Sequence, residues 1–179
     1  MLPRLPGLES LPALDHPELL APPVLEALRS WPEAADVAVV EIDPELADTA
    51  AMSQAYDVPM AAGANCVVVM GRREGEERVA ACLVRADTRA DVNTLVKRTL
   101  DVRKCSFLSM ERAVEESGME YGGITPIGLP AHWRLLVDEA CLDIEAAVIG
   151  SGVRRSKLLV PSPLLGRLPG AEVVPGLAH

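Results

Sequence analysis

Apolar residues in this chain fall into short runs rich in β-branched side chains, separated by polar turns and by stretches with helical spacing. ADVAVVEI (35–42), ANCVVVM (64–70) and ERVAACLVRA (77–86) predict strands, the last two joined as a hairpin-like pair by the polar turn GRREGE. RKCSF, RLLVD (134–138), EAAVIGS (145–151) and SKLLV (156–160) are also strand-like, and AEVV returns to the sheet. Between them lie predicted helices. PVLEALRSW is a short one, and Asp43-Pro44 supplies an N-cap and a first-turn proline for PELADTAAMSQAYD. RADVNTLVKRTL (89–100) puts Val92, Leu95, Val96 and Leu100 on one face. SMERAVEES is capped by Ser109 and stopped by Gly118, and Ser162-Pro163 opens a last short helix. Strands in runs with helices inserted irregularly predict an α+β fold with a mixed sheet.

A chain of 179 residues holds one domain with a real core. Its first 34 residues, rich in Pro and Leu, read as an N-terminal extension packed on a domain at 35–179. Apolar residues make up 49% but aromatic ones only 3%, so Val, Leu, Ala and Ile must build the core. A formal charge of −9 excludes a broad basic nucleic-acid coat while leaving room for a local basic patch. Cys66, Cys82, Cys105 and Cys141 form no C-x-x-C pair, and His16, His132 and His179 add no close ligand pair. Reduced buried thiols are expected, with neither a metal nor an organic cofactor. No signal peptide and no apolar stretch of membrane-spanning length is visible, so a soluble, cytoplasmic protein is expected. No strand leads into G-x-G-x-x-G or G-x-x-x-x-G-K, which argues against a Rossmann or P-loop nucleotide site.

The stretch MEYGGITPIGLP (119–130) carries the candidate chemistry. Three glycines and two prolines around a short apolar run shape a loop rather than a helix or strand. Such a loop is either a tight structural corner or a rim whose backbone N–H groups meet a ligand. Ser117-Gly118 through Gly128 reads as T/S-G-x-x-x-G-G-I-T/S-P-I-G. Together with TRADVNTLVKRTLDVRKCSF and LLVDEACLDIEAAVIGSGVRRSKLLV, in that order and spacing, it resembles the YbaK-type aminoacyl-tRNA deacylases. That family also supplies the editing domain of prolyl-tRNA synthetases, and the resemblance covers roughly residues 37 to 175.

The resemblance implies a single α+β domain with a mixed, partly closed, barrel-like sheet flanked by helices. It implies hydrolysis, without cofactor, of the ester joining a small, wrongly attached amino acid to tRNA, commonly proline tRNA. Gly122 and Gly123 would offer oxyanion donors, with Ile124, Thr125, Pro126 and Gly128 shaping the pocket. Asp138 matches the family's acidic residue, expected to hold the α-ammonium or orient water. Ser151-Gly152 would line the pocket, and Arg154, Arg155 and Lys104 would meet tRNA phosphates. A synthetase is a further expected partner, and no membrane is.

One position departs from the family. Where its members have Lys-Thr, this chain has Asn65-Cys66, and Asn65 supplies hydrogen bonds but no charge. Arg72, Arg85 and Arg155 are the candidates to replace that charge. Cys66 has no histidine nearby in sequence to activate it and reads as a core thiol. The alternative is a non-catalytic module on the same fold, binding an aminoacyl end, a nucleotide or a protein.

Overall fold

The computed structural model describes residues 1–179. In chain order its elements are β1 (Leu11–Pro12), α1 (Pro22–Ser30), β2 (Ala38–Glu41), α2 (Thr49–Tyr56), β3 (Ala64–Arg73) and β4 (Glu76–Arg85). These are followed by α3 (Lys97–Thr99), β5 (Cys105–Phe107), α4 (Met110–Ser117), β6 (Arg134–Asp138), β7 (Ala146–Gly150), β8 (Ser156–Pro161) and β9 (Ala171–Val174). The strands form two sheets, ordered β1-β2-β8-β7 and β5-β3-β4-β6-β9. The second is mixed: β3 pairs antiparallel with β4 and β5, whereas β4–β6 and β6–β9 are parallel. The two sheets meet at an isolated parallel bridge, Gly63 to Val148, so closure is partial.

The local signals in the sequence explain most element ends. The β3–β4 hairpin pairs Arg73 with Glu76, leaving a two-residue loop at Glu74-Gly75 with positive φ at both positions. That backbone matches the strand twist and suits a glycine at its second position. Ser109 Oγ accepts from the Arg112 N–H at the start of α4, and Gly118 ends it in the left-handed region. The segment 44–57 is not one helix. Asp43 caps a short 3-10 turn, Pro44–Leu46, and the chain restarts at Asp48 to form α2. The segment 89–100 opens as a π-helical turn, Val92–Val96, with the Asp91 carboxylate accepting from the Thr94 and Leu95 N–H groups.

The main core lies between the two sheets and includes Leu83, Val137, Ile149, Leu158 and Leu165. Leu19, Leu20, Ala21, Val24, Leu28 and Trp31 belong to the same cluster, and β1 pairs with β2. The N-terminal segment expected as an extension is therefore built into the core. A second cluster packs α3 and the preceding turn on the other face of the five-stranded sheet, through Val92, Val96 and Leu100. A third, with Val40, Met52, Val58, Val148 and Leu159, packs α2 against the outer face of the four-stranded sheet. No helix is long and apolar enough to cross a membrane.

Candidate functional site

A cavity of about 390 Å³ opens where the N-terminal part of β3, the start of α2, the glycine loop and the β7–β8 ladder converge. Its walls include Met52, Val58, Met60, Ile124, Val148 and Ile149, and its polar lining includes Asp48, Thr49, Asn65, Gly122 and Lys157. That is the size and composition of a small-molecule pocket: mostly apolar, with a few converging polar groups.

Strand register explains why Lys157 points here. It pairs with Val40 on one side and Gly150 on the other, so the three positions share a sheet face. Leu159, two residues on, lies on that face too and packs with Met52 and Val58. Gly150 makes room above the face. A Cβ there would lie 2.5 Å from the Gly123 carbonyl O and 2.7 Å from that of Ile124. Only glycine lets the loop lie directly over β7. Lys157 is thereby enclosed, at 6% exposure. Its Nζ stands 3.5 Å from the Gly122 carbonyl O, and no carboxylate pairs with it. Burial, seconded by the Arg154 guanidinium, pushes its pKa down to about 8, against a smaller opposing pull from Asp48.

Backbone hydrogen bonds hold the glycine loop. Gly123 N–H donates to Glu120 O (2.9 Å), Gly152 N–H to Gly123 O (2.7 Å) and Glu120 N–H to Gly152 O (2.8 Å). The amides of Gly122 and Ile124, both on the cavity lining, have no acceptor within the protein. Arg154 clamps the rim. Its guanidinium donates to Pro44 O (3.0 and 3.2 Å) and Tyr121 O (3.2 Å), and its N–H donates to the Glu120 carboxylate (2.7 Å). Asn65 Oδ1 accepts from Thr49 Oγ1 at 2.7 Å, which leaves the Asn65 amide N–H groups without a protein partner.

Of the residues singled out in the sequence, Asn65, Gly122 and Ile124 come together on this cavity. Others stand elsewhere. Gly123 is buried against the Gly152–Val153 backbone, where a Cβ would come within 2.8 Å of Val153 N. Thr125 is fully buried, and Pro126 and Gly128 turn toward a separate apolar cavity beside Trp31 and Trp133. Ser151 Oγ bonds Ser156 Oγ (2.7 Å), which donates in turn to Leu19 O (2.6 Å), so it ties the turn to the N-terminal segment. Gly152 sits against Ala21.

Asp138 is not on the cavity lining. Its buried carboxylate accepts the Leu177 N–H at 3.1 Å and holds the C-terminal segment. Burial pushes its pKa up, against the downward pull of the Leu177, Ala178 and Ala140 amides. The basic residues do not form one patch. Arg155 donates to Glu18 O, whereas Lys104 lies with Arg72 and Arg103 along a groove beside β5.

None of the arginines considered as replacements for the missing lysine lines the cavity: Arg72 pairs with Glu77, Arg85 with Asp87, and Arg155 is held by Glu18 O. The residue the sequence reading missed is Lys157. Its only signal was a lysine set inside the apolar run SKLLV. Cys66 lines the cavity, but burial, with Cys82 beside it, pushes its thiol pKa far up and away from a reactive thiolate. No group of three or more His, Cys, Asp or Glu side chains is placed to hold a metal ion.

Comparison with known proteins agrees with this geometry. The aminoacyl-tRNA editing domain family matches residues 43–168, which span all of the cavity lining. Over 77 residues the chain is 35% identical to a proline–tRNA ligase of Listeria welshimeri and 34% identical to one of Listeria monocytogenes. Each alignment takes in 42% of this chain and 13% of the ligase. Among solved structures, a hypothetical protein superposes with a TM-score of 0.76 at 19% identity, covering 88% of this chain and 99% of the other. A candidate trans-editing enzyme for prolyl tRNA synthetase superposes with a TM-score of 0.73 at 22% identity, covering 87% and 94%. At these identities the superpositions establish a shared fold.

Proposed function

The chain belongs to the aminoacyl-tRNA editing domain family, and from that premise we propose that it is a trans-editing deacylase acting on small amino acids mischarged on tRNA, proline tRNA first among them. The observation that carries the reading is the cavity itself. It lies within the matched region and is lined by the glycine loop, whose Gly122 and Ile124 amides are free to donate. The likeness in fold to a candidate trans-editing enzyme, and in sequence to part of two proline–tRNA ligases, supports the choice of proline tRNA.

The chemistry follows from the lining. Water attacks the ester carbonyl carbon, a C–O bond forms, and charge gathers on the carbonyl oxygen. Fixed N–H donors lining the cavity stabilise that charge at little reorganisation cost. The intermediate collapses by breaking the bond to the ribose oxygen, which takes up a proton and leaves with the tRNA. Asn65, held by Thr49, offers its amide N–H groups to the substrate. Ile124, Met52 and Val148 limit the side chain admitted. A pocket of this kind discriminates by about 1–3 kcal/mol per methylene, enough to favour alanine over larger residues.

The test is a deacylation screen of the purified protein against tRNAs charged with each small amino acid, using proline tRNA charged with alanine, cysteine, serine and proline as the central set. Release of a small non-cognate residue, with prolyl-tRNA spared, is the expected result. Stability of every charged tRNA would leave a non-catalytic binding module as the better account.

A further inference from the structure

Lys157 is an anomaly for a structural residue. It is enclosed between β2 and β7 at 6% exposure, has no carboxylate partner, and reaches only the Gly122 carbonyl O, at 3.5 Å. A buried ammonium without a partner is destabilising, and replacing it with an apolar side chain of similar size would relieve that cost. Nothing in the fold requires the charge, and the cavity is what it faces. The lining of the same cavity also includes, at the N-terminus of α2, the exposed carboxylate of Asp48, which makes no capping hydrogen bond.

We infer that Lys157 is a catalytic residue whose ammonium binds the ester carbonyl oxygen of the aminoacyl group, while Asp48 receives the α-ammonium of the same group. The inference rests on the proposed deacylase reading and deepens it. The lining carries both a cation and an anion, together with the free amides of Gly122 and Ile124. An aminoacyl ester is complementary to that lining: it offers a positive α-ammonium to the anion, and to the cation a carbonyl oxygen that turns negative as water adds. A plain acyl ester would leave Asp48 unused. Lys157 thus brings to the cavity, from β8, a charge that Asn65 on β3 does not provide.

Two experiments test it. In the first, Lys157→Met is compared with wild type in single-turnover hydrolysis of the charged tRNA that the screen identifies, with thermal melting alongside. The rate should fall about a hundredfold or more, the range for losing one oxyanion donor, with KM changed little and the melting temperature unchanged or raised. A rate equal to wild type overturns the inference, as does a loss that only tracks a fall in melting temperature. Asp48→Asn should raise KM for aminoacyl-tRNA and leave the N-acetylated aminoacyl-tRNA unaffected; equal effects on both overturn its assignment.

The second experiment needs no variant. The chain has three lysines, Lys97, Lys104 and Lys157. After ¹³C reductive methylation, titration with 3′-alanylamino-3′-deoxyadenosine, whose amide replaces the ester, should shift the Lys157 resonance alone. An unmoved Lys157 signal overturns the inference. A shifted signal in a protein that hydrolyses no charged tRNA keeps Lys157 as a ligand and removes the deacylase reading. Active wild type with an active Lys157→Met does the reverse.

Discussion

Two charged side chains are buried in this protein, and they are buried for different reasons. Asp138 ends β6 and turns its carboxylate onto the backbone of the C-terminal segment, where the Leu177 N–H donates to it. Lys157 lies on β8 beneath the glycine loop, with a carbonyl 3.5 Å away and a cavity in front of it. Asp138 takes one backbone N–H on Oδ1 and so ties down a chain end, while its buried Oδ2 has no protein partner; Lys157 reaches only the Gly122 carbonyl O. A buried carboxylate that ties a distant chain end through a backbone N–H has a use within the fold. A buried charge left unsatisfied beside a pocket points to a ligand. The acidic residue marked in the sequence lies off the cavity, and the lysine passed over there lines it.

The contrast breaks most sharply under reciprocal substitution. Lys157→Met should cost about two orders of magnitude in deacylation rate with no loss of melting temperature. Asp138→Ala should do the opposite. It strands the amide that the carboxylate serves, for a loss of about 1–3 kcal/mol in denaturant unfolding, while the rate stays within twofold of wild type at a temperature where both are folded. If Asp138→Ala instead abolishes turnover in a stable protein, the assignment of the two residues is reversed.

A smaller effect appears in the pH dependence of stability. Burial depresses the Lys157 pKa to about 8, so the unfolded chain binds the extra proton between there and the ordinary lysine value of about 10.5. Stability from this group should therefore rise with pH across that window and be flat below it, where both states are protonated and the burial penalty is fully present. Melting curves of wild type should show the rise relative to Lys157→Met, with Asp48 and Arg154, the charged groups acting on Lys157, present in both proteins. Identical pH profiles would show that the lysine keeps its ordinary pKa, hydrated within the cavity.

The smallest expected effect concerns the rim. Arg154→Ala removes the hydrogen bonds to Pro44 and Tyr121 that join the β2–α2 connection to the glycine loop. A severalfold rise in KM is expected, with kcat nearly unchanged, because the clamp orders the cavity mouth without touching the ester. If the binding of uncharged tRNA weakens by the same factor and with the same salt dependence, Arg154 meets phosphate instead.

Much of the site was legible because it lies within one contiguous stretch. Gly122 and Ile124 sit in the glycine loop, and Asn65 stands at a family position that the resemblance marked. Gly123, Thr125 and Pro126 belong to the same stretch but face elsewhere, since a run of sequence does not say which of its residues turn toward a cavity. The basic residues are likewise not gathered in one place. Arg154 and Arg155 donate to carbonyls of Pro44, Tyr121 and Glu18, and Lys104 is on another surface.

By itself the sequence determined the features set by neighbours along the chain. Ser109 and Gly118 bound α4, Asp43 caps the turn after β2, Glu74-Gly75 closes the β3–β4 hairpin, and the β-branched runs become strands. Each depends on hydrogen bonds or backbone angles spanning only a few residues. Only the tertiary structure decided which strands share a sheet, that the first 34 residues supply core side chains, and where the two buried charges point. Lys157 reaches the cavity because Val40 lies beside it on β2 and Gly150 on β7, and because Gly150 lets residues 123–124 pass overhead. Asp138 turns away from it because Leu177, thirty-nine residues on, donates to its carboxylate. Burial and partnership arise from contacts between distant segments, and those contacts decide whether a charge braces the fold or faces a ligand.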